Sequence, residues 1–169
     1  DNNKSNLPLD PYFLGLWLGD GTASDVLITS SDSEIEEYLY SFASSYDGIT
    51  VVKKIIEPGF VTGTGLIAEK GYNIFRLKYK FRGNPIRKAL RELNVYDNKH
   101  IPEAYMNSSK EDRFKLLAGL IDSDGNLHRR VGTSSVSWSY RFSQCEKHKD
   151  LFIHTRNLAK SLGLNVGDI

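Results

Sequence analysis

The chain has 169 residues, a formal net charge of +1 and a single cysteine. This length allows one domain or two small fused halves with a real core, and one cysteine excludes an internal disulfide. No apolar run reaches membrane-spanning length, and the polar N-terminus lacks the apolar stretch of a secretory signal. These features predict an intracellular protein, which would be nuclear in a eukaryote.

The first predicted element is a buried helix. Asp10-Pro11 is typical of an N-cap followed by the first helical residue, so a helix is expected from about Pro11 to Gly19. It is apolar on all sides, which indicates burial, and it ends in the acidic corner Asp20-Gly21. A short strand from Asp25 to Thr29 and a second helix, opened by the capping box from Ser31 to Glu34, are predicted to follow.

The next strands carry the strongest charge pattern. Ile49 to Ile56 is a β-branched run, and the segment from Gly59 to Gly65 predicts a hairpin or loop. Between Lys70 and Arg91 every charged residue is basic. In the strand predicted from Tyr72 to Arg82, period-two geometry sends one set of side chains inward and four cations outward. The inward set is Phe75, Leu77, Tyr79 and Phe81, and the outward set is Arg76, Lys78, Lys80 and Arg82. The outward set is expected to contact DNA phosphates; the alternative is an ordinary solvated face, which normally mixes charges.

A helix beginning at Asn84-Pro85 leads to the connecting segment Asn98-Lys99-His100-Ile101-Pro102. A capping box at Ser108 to Glu111 then predicts a helix from about Ser109 to Ile121. Strands from Asn126 to Val131 and from Ser135 to Gln144 should form a hairpin around Gly132, followed by a helix from about Lys147 to Leu162.

The second strand of this hairpin alternates between apolar and polar residues. Its apolar residues, predicted to face the core, are Val136, Trp138, Tyr140 and Phe142. On the other face, Ser137, Ser139 and Arg141 suit base edges in a major groove, although serine-rich strands are also simply soluble.

A repeat joins the two halves. LLAGLIDSDG at 116–125 has the shape of YFLGLWLGDG at 12–21, so that Gly15 aligns with Gly119 and Asp20 with Asp124. The two glycines would let the helices pack backbone to backbone and bring the aspartates together. Two carboxylates that lie so close together need a divalent cation between them, or one of them must have a raised pKa. Mg²⁺, held by both carboxylates and the helix-end residues Gly19 and Ser123, fits this arrangement, and phosphate oxygens would complete its shell. For a single copy an ordinary Asp-Gly turn would be the better interpretation; the duplication favours the metal site.

Both segments resemble the signature helices of the LAGLIDADG homing endonucleases, and FLGLWLGDG preceded by Asp10-Pro11 resembles the intein-borne fungal branch. The resemblance implies an α+β fold of two αββαββα-like repeats, whose antiparallel sheets form a saddle for double-stranded DNA. The repeats would span 1–102, with the connecting segment, and 103–169, the second incomplete at its C-terminus. The resemblance also implies a pseudo-symmetric monomer, fused to or excised from a protein-splicing domain that is not in this chain.

The activity implied by the resemblance is site-specific cleavage of both DNA strands with Mg²⁺ or Mn²⁺. Asp20 and Asp124 would bind the metal, and Lys99, which precedes Ile101-Pro102 as in the family, would orient a water or stabilise the phosphorane. The alternative is a LAGLIDADG-fold protein that binds DNA or RNA without cutting it, as a maturase or regulator. The presence of both acids argues against that alternative.

Overall fold

The computed structural model describes residues 6–22, 25–62, 65–131 and 135–167. These residues form a mixed α/β structure with six α-helices and two small antiparallel sheets. The predicted turn around Gly132 and part of the predicted loop from Gly59 to Gly65 lie outside them. Within these ranges, no helix has the length and apolar character needed to cross a membrane.

The chain divides into two compact units. One contains Asp1–Gly19 and Leu93–Ile169, and the other contains Asp20–Glu92. This division differs from the boundary expected after residue 102, because the first motif helix packs with the second motif helix and so belongs with the later part of the chain. The two repeats, as units of sequence, stay a prediction.

The first unit is built on two capped helices. Helix α1 spans Pro11–Asp20, and the Phe13 amide donates a 3.0 Å hydrogen bond to the Asp10 carboxylate at its start. Helix α5 spans Lys110–Asp124 and is capped by Ser109, which accepts from the Asp112 amide at 3.1 Å. It runs three residues beyond the predicted end at Ile121, so Asp124 is its last residue. The unit also contains α4, Glu103–Met106, which was not predicted, and α6, Lys149–Ser161.

The hairpin of this unit corrects one prediction. Strand β4, Gly125–Val131, pairs antiparallel with β5, Val136–Phe142, with Leu127 opposite Tyr140. The residues predicted to face the core are largely exposed: Val136 by 49%, Trp138 by 60% and Tyr140 by 67%. Phe142 alone of the four is half-buried, stacked on Phe152 of α6 at 6.4 Å. Alternation fixes which side chains share a face, but no described element covers this face of the two-stranded sheet.

The second unit is a three-stranded sheet with two helices. Its elements are β1 (Leu27–Ser30), α2 (Ser33–Ser44), β2 (Ile49–Ile56), β3 (Tyr72–Tyr79) and α3 (Pro85–Glu92). The strand order is β1-β3-β2, so β3 is central and pairs with both neighbours. Helix α2 is capped by Asp32, one residue later than the first residue of the predicted capping box.

The predicted burial of one face of β3 is confirmed only in the middle of the predicted strand. Phe75 and Leu77 are buried, whereas Phe81 is 60% exposed. The strand ends at Tyr79 rather than at Arg82, so Lys80 and Arg82 lie beyond it. The chain turns away there through Gly83, whose φ is +78°, a backbone conformation that favours glycine.

Candidate active site and nucleic-acid interface

The two motif helices contact each other through their glycines. A Cβ added to Gly15 would lie 2.9 Å from the Leu120 amide nitrogen, and one added to Gly119 would lie 2.9 Å from the Leu16 amide nitrogen. Both distances are shorter than any normal Cβ contact. The backbones of α1 and α5 therefore touch at these positions, where only glycine fits.

The C-terminal ends of the two helices also converge. A Cβ on Gly19 would lie 2.6 Å from the Ser123 Cβ and 3.1 Å from Oδ2 of Asp124. The Ser123 hydroxyl lies 2.9 Å from the carbonyl oxygen of Gly119 in its own helix. Each helix end carries unpaired carbonyls and a partial negative charge, so this junction attracts cations.

Lys99 supplies one cation to this junction. Its ammonium donates a 2.6 Å hydrogen bond to the Gly19 carbonyl oxygen and lies 5.7 Å from the centre of the Trp17 ring. The residue is only 7% exposed. The Gly19 carbonyl, predicted as a metal ligand, is thus engaged by a lysine; its role toward a metal stays a prediction.

Asp124 is held by a residue that the sequence did not single out. The side-chain amide of Gln144 donates a hydrogen bond to Oδ2 of Asp124, and both residues are half-buried. Oδ1 of Asp124 has no hydrogen-bond partner among the described residues. The signal that could have found Gln144 is the hairpin register, in which Phe142 lies opposite Gly125.

His148 lies within electrostatic range of the same cluster. Burial lowers the pKa of His148, and the charges of Lys99 and Lys147 lower it further, whereas the carboxylate of Asp124 raises it.

The other acids of the motifs are placed differently. Asp20 is the last residue of α1 and is half-buried. That its carboxylate lies close to that of Asp124 stays a prediction. Asp122 is exposed and accepts a 2.7 Å hydrogen bond from the Tyr12 hydroxyl. Asp122 thus connects α5 to α1.

The donor atoms of the junction suit a hard divalent ion. Among the residues with described structure, no three His, Cys, Asp or Glu side chains cluster as a metal site. Mg²⁺ does not need such a cluster, because it binds through one or two carboxylates and keeps water and phosphate oxygens as its other ligands. The half-buried carboxylate of Asp124, with Oδ1 available, meets that requirement.

The exposed face of the three-stranded sheet is basic. Arg76 and Lys78 are exposed on one face of β3, and the pairing of Lys54 with Ile74 places Lys54 on the same face. Lys54 was not among the residues predicted to contact DNA. Lys80, beyond the end of β3, lies 3.3 Å from the carboxylate of Asp47.

Asp25 organises two arginines at this face. Its carboxylate lies 3.2 Å from Nε of Arg76 and also pairs with the guanidinium of Arg87. Burial raises the pKa of Asp25, but the Val26 amide and the two guanidiniums together outweigh it, so this pKa lies below its ordinary value of 3.8. Asp25 therefore stays ionised and fixes the direction of the Arg76 side chain.

The polar face of the β4–β5 hairpin is more basic than predicted. The register places His128 opposite Ser139, Arg130 opposite Ser137, and Arg141 opposite Asn126. These six side chains share one face, and neither strand contains an acidic residue. His128 and Arg130 therefore join the predicted set of Ser137, Ser139 and Arg141.

No family model matches the chain. The chain is 32% identical, over 117 residues, to the replicative DNA helicase DnaB of Mycobacterium intracellulare. The similarity covers 69% of this chain but 14% of that protein. The chain thus matches about one seventh of the length of this relative.

Proposed function

We propose that the chain belongs to a site-specific DNA endonuclease of the LAGLIDADG type, which hydrolyses both strands of duplex DNA with a divalent metal ion. The observation that carries the proposal is the contact between α1 and α5 at their glycines. This contact places Gly19, near the end of α1, beside Asp124 at the end of α5. Two equivalent motifs joined in this way would each deliver one carboxylate, from Asp20 and from Asp124, to a junction that already attracts cations.

The chemistry follows from these donors. Asp20 and Asp124 would hold Mg²⁺ or Mn²⁺, which when bound lowers the pKa of a coordinated water and neutralises charge on the departing oxygen. Water attacks phosphorus in line with the 3′ oxygen, the bond to that oxygen breaks, and a 5′-phosphate and a 3′-hydroxyl remain. The Lys99 ammonium, buried at the end of α1, would donate a hydrogen bond to the attacking water or to a phosphorane oxygen.

The sheet faces would bind the duplex. Lys54, Arg76 and Lys78 would contact phosphates and fix the register of the protein on DNA. On the hairpin, Ser139 and Arg141 would reach base edges in the major groove. The finer architecture, two αββαββα-like repeats forming a saddle, belongs to this proposal.

The comparison supports an intein-borne origin. A match confined to 14% of a longer protein is what an element carried within a host protein would give. The protein-splicing domain that the resemblance implies would then lie outside this chain.

The test begins with duplexes selected by binding from a random library without divalent metal. Adding Mg²⁺ or Mn²⁺ should convert the selected duplex into double-strand breaks. Asp20→Asn and Asp124→Asn should each abolish cleavage and leave DNA affinity largely unchanged. Asp122→Asn is the matched control, because its carboxylate lies on the same helix but accepts from Tyr12, and it should cut like the wild type.

One result would contradict the proposal and favour a DNA- or RNA-binding regulator or maturase. In that result, the wild-type protein binds the selected duplex tightly but leaves it intact at every metal concentration.

A further inference from the structure

The hydrogen bond between Gln144 and Asp124 has a consequence for metal binding. We infer that Gln144 is a positioning residue, which holds the Asp124 carboxylate in the orientation that receives the metal ion; this inference rests on the proposed function. Gln144 itself touches neither metal nor DNA in this account, and it acts through the carboxylate alone.

The fold brings Gln144 to this place through the strand register. Helix α5 ends at Asp124, β4 starts at the next residue, and β5 pairs so that Phe142 lies opposite Gly125. The chain leaving β5 therefore passes the carboxylate of Asp124 two residues later. There the Gln144 amide donates to Oδ2.

A neutral donor is suited to this task. The end of α5 carries a partial negative charge that repels a carboxylate, and an amide hydrogen bond offsets part of that repulsion. A lysine or arginine at 144 would also neutralise the carboxylate and compete with the metal ion. Glutamine fixes one oxygen, adds no charge of its own, and leaves the other oxygen available to the metal ion.

Lys99 does not fulfil this function in the structure. Its ammonium is directed to the Gly19 carbonyl oxygen at 2.6 Å, and Ser123 is tied to the Gly119 carbonyl oxygen. Among the described residues, Gln144 alone donates a side-chain hydrogen bond to the Asp124 carboxylate. Removing a partner that orients a metal ligand typically weakens metal affinity about 10- to 100-fold.

The first test uses the metal-free protein. In ¹⁵N NMR spectra, the side-chain amide protons of Gln144 should be shifted by their bond to a charged carboxylate, and Asp124→Asn should return them toward ordinary positions. Unchanged Gln144 signals in Asp124→Asn would overturn the inference. This readout requires no change at position 144 and does not depend on activity.

The second test measures Mn²⁺ binding by electron paramagnetic resonance with the selected duplex bound. Gln144→Met keeps the length of the side chain but lacks the donor, and it should weaken Mn²⁺ binding about 10-fold or more. The Mg²⁺ concentration at half-maximal cleavage should rise by the same factor, while the rate at saturating Mg²⁺ falls much less. Ser143→Ala, an exposed neighbour, is the control and should match the wild type in both measurements.

The outcomes separate the two proposals. Wild-type protein that binds no Mn²⁺ and does not cleave contradicts the proposed function itself. Wild-type protein that does both, with a Gln144→Met variant of unchanged metal dependence, contradicts only the inference on Gln144. A variant with lower thermal stability but unchanged Mn²⁺ affinity would assign Gln144 a structural role and also overturn the inference.

Discussion

Replacing Gly15 with alanine should destabilise the protein. The new Cβ would lie 2.9 Å from the Leu120 amide nitrogen and 3.0 Å from the Gly119 carbonyl carbon, whereas ordinary contacts begin at 3.4 Å. These neighbours are backbone atoms of α5, so no side-chain rotation relieves the overlap. The two helices would have to separate locally by about half an ångström or more.

The magnitude combines two opposing effects. Alanine favours a helix over glycine by about 1 kcal/mol, so at an uncrowded helical position the substitution would stabilise. Overpacking costs about 1–3 kcal/mol, and rigid backbone neighbours place Gly15 at the upper end of that range. We therefore expect a net loss of about 2 kcal/mol from the free energy of unfolding, which is typically about 5–15 kcal/mol.

Urea denaturation measures this loss directly. With a denaturant dependence of roughly 2 kcal/mol per molar, the midpoint of unfolding should fall by about 1 M. Gly167→Ala is the control, since a Cβ at Gly167 would have nothing within 4 Å, and its midpoint should match the wild type. A midpoint for Gly15→Ala equal to or above that of the wild type would refute the close approach of the helices.

Four further substitutions test other parts of the structure. Lys99→Met removes the ammonium that is proposed to act on the attacking water or a phosphorane oxygen, so it should abolish cleavage. It also leaves the Gly19 carbonyl without its hydrogen bond, so the free energy of unfolding should fall by about 1–3 kcal/mol. An active, equally stable variant would contradict both roles. Because the pKa of Asp25 is below 3.8 in the folded protein, its ionised form stabilises the fold above that pH, and this contribution disappears as the pH falls through the folded pKa. Asp25→Asn should therefore be less stable than the wild type at pH 7, and urea titrations should show the two converging below about pH 3.8; a gap independent of pH would exclude this explanation. Trp138→Ala, at a side chain that is 60% exposed, should change stability by about 0.5 kcal/mol or less, whereas Trp17→Ala, at a buried side chain, should cost about 3–5 kcal/mol; equal losses would mean that the hairpin face is covered.

The sequence predicted the helices well where local signals were strong. Asp10-Pro11 marks the start of α1 because capping is a local interaction. The start of α5 was also predicted, although its cap is Ser109, one residue after the Ser108 with which the predicted capping box began. Strand β2 matches its prediction at both ends, since a β-branched run bounded by turn residues depends little on distant contacts.

Burial of the hairpin could not be predicted in the same way. The alternation of Val136, Trp138 and Tyr140 placed them on one face, as the register shows, but whether another element covers that face is a tertiary property. The same limit applies to the end of β3, where the alternation continues to Arg82 although the strand ends at Tyr79.

Some residues of the candidate site could be predicted from the sequence and others could not. Gly15 and Gly119 could be paired from the repeat alone, whereas Lys99 could be placed near them only through the family resemblance. Gln144 and Lys54 carried no local signal, because each reaches its position through strand register. Residues whose role depends on register are found only once the pairing is known.

The proposed cleavage of DNA requires Asp124 to bind a metal ion at a DNA phosphate. A crystal structure of the protein with a selected duplex and Mn²⁺, with anomalous diffraction data, measures this directly. We predict an anomalous peak about 2–2.5 Å from the Asp124 carboxylate and in contact with a phosphate oxygen of the DNA. Manganese absent from Asp124, or DNA bound on a surface away from it, would contradict the proposed function.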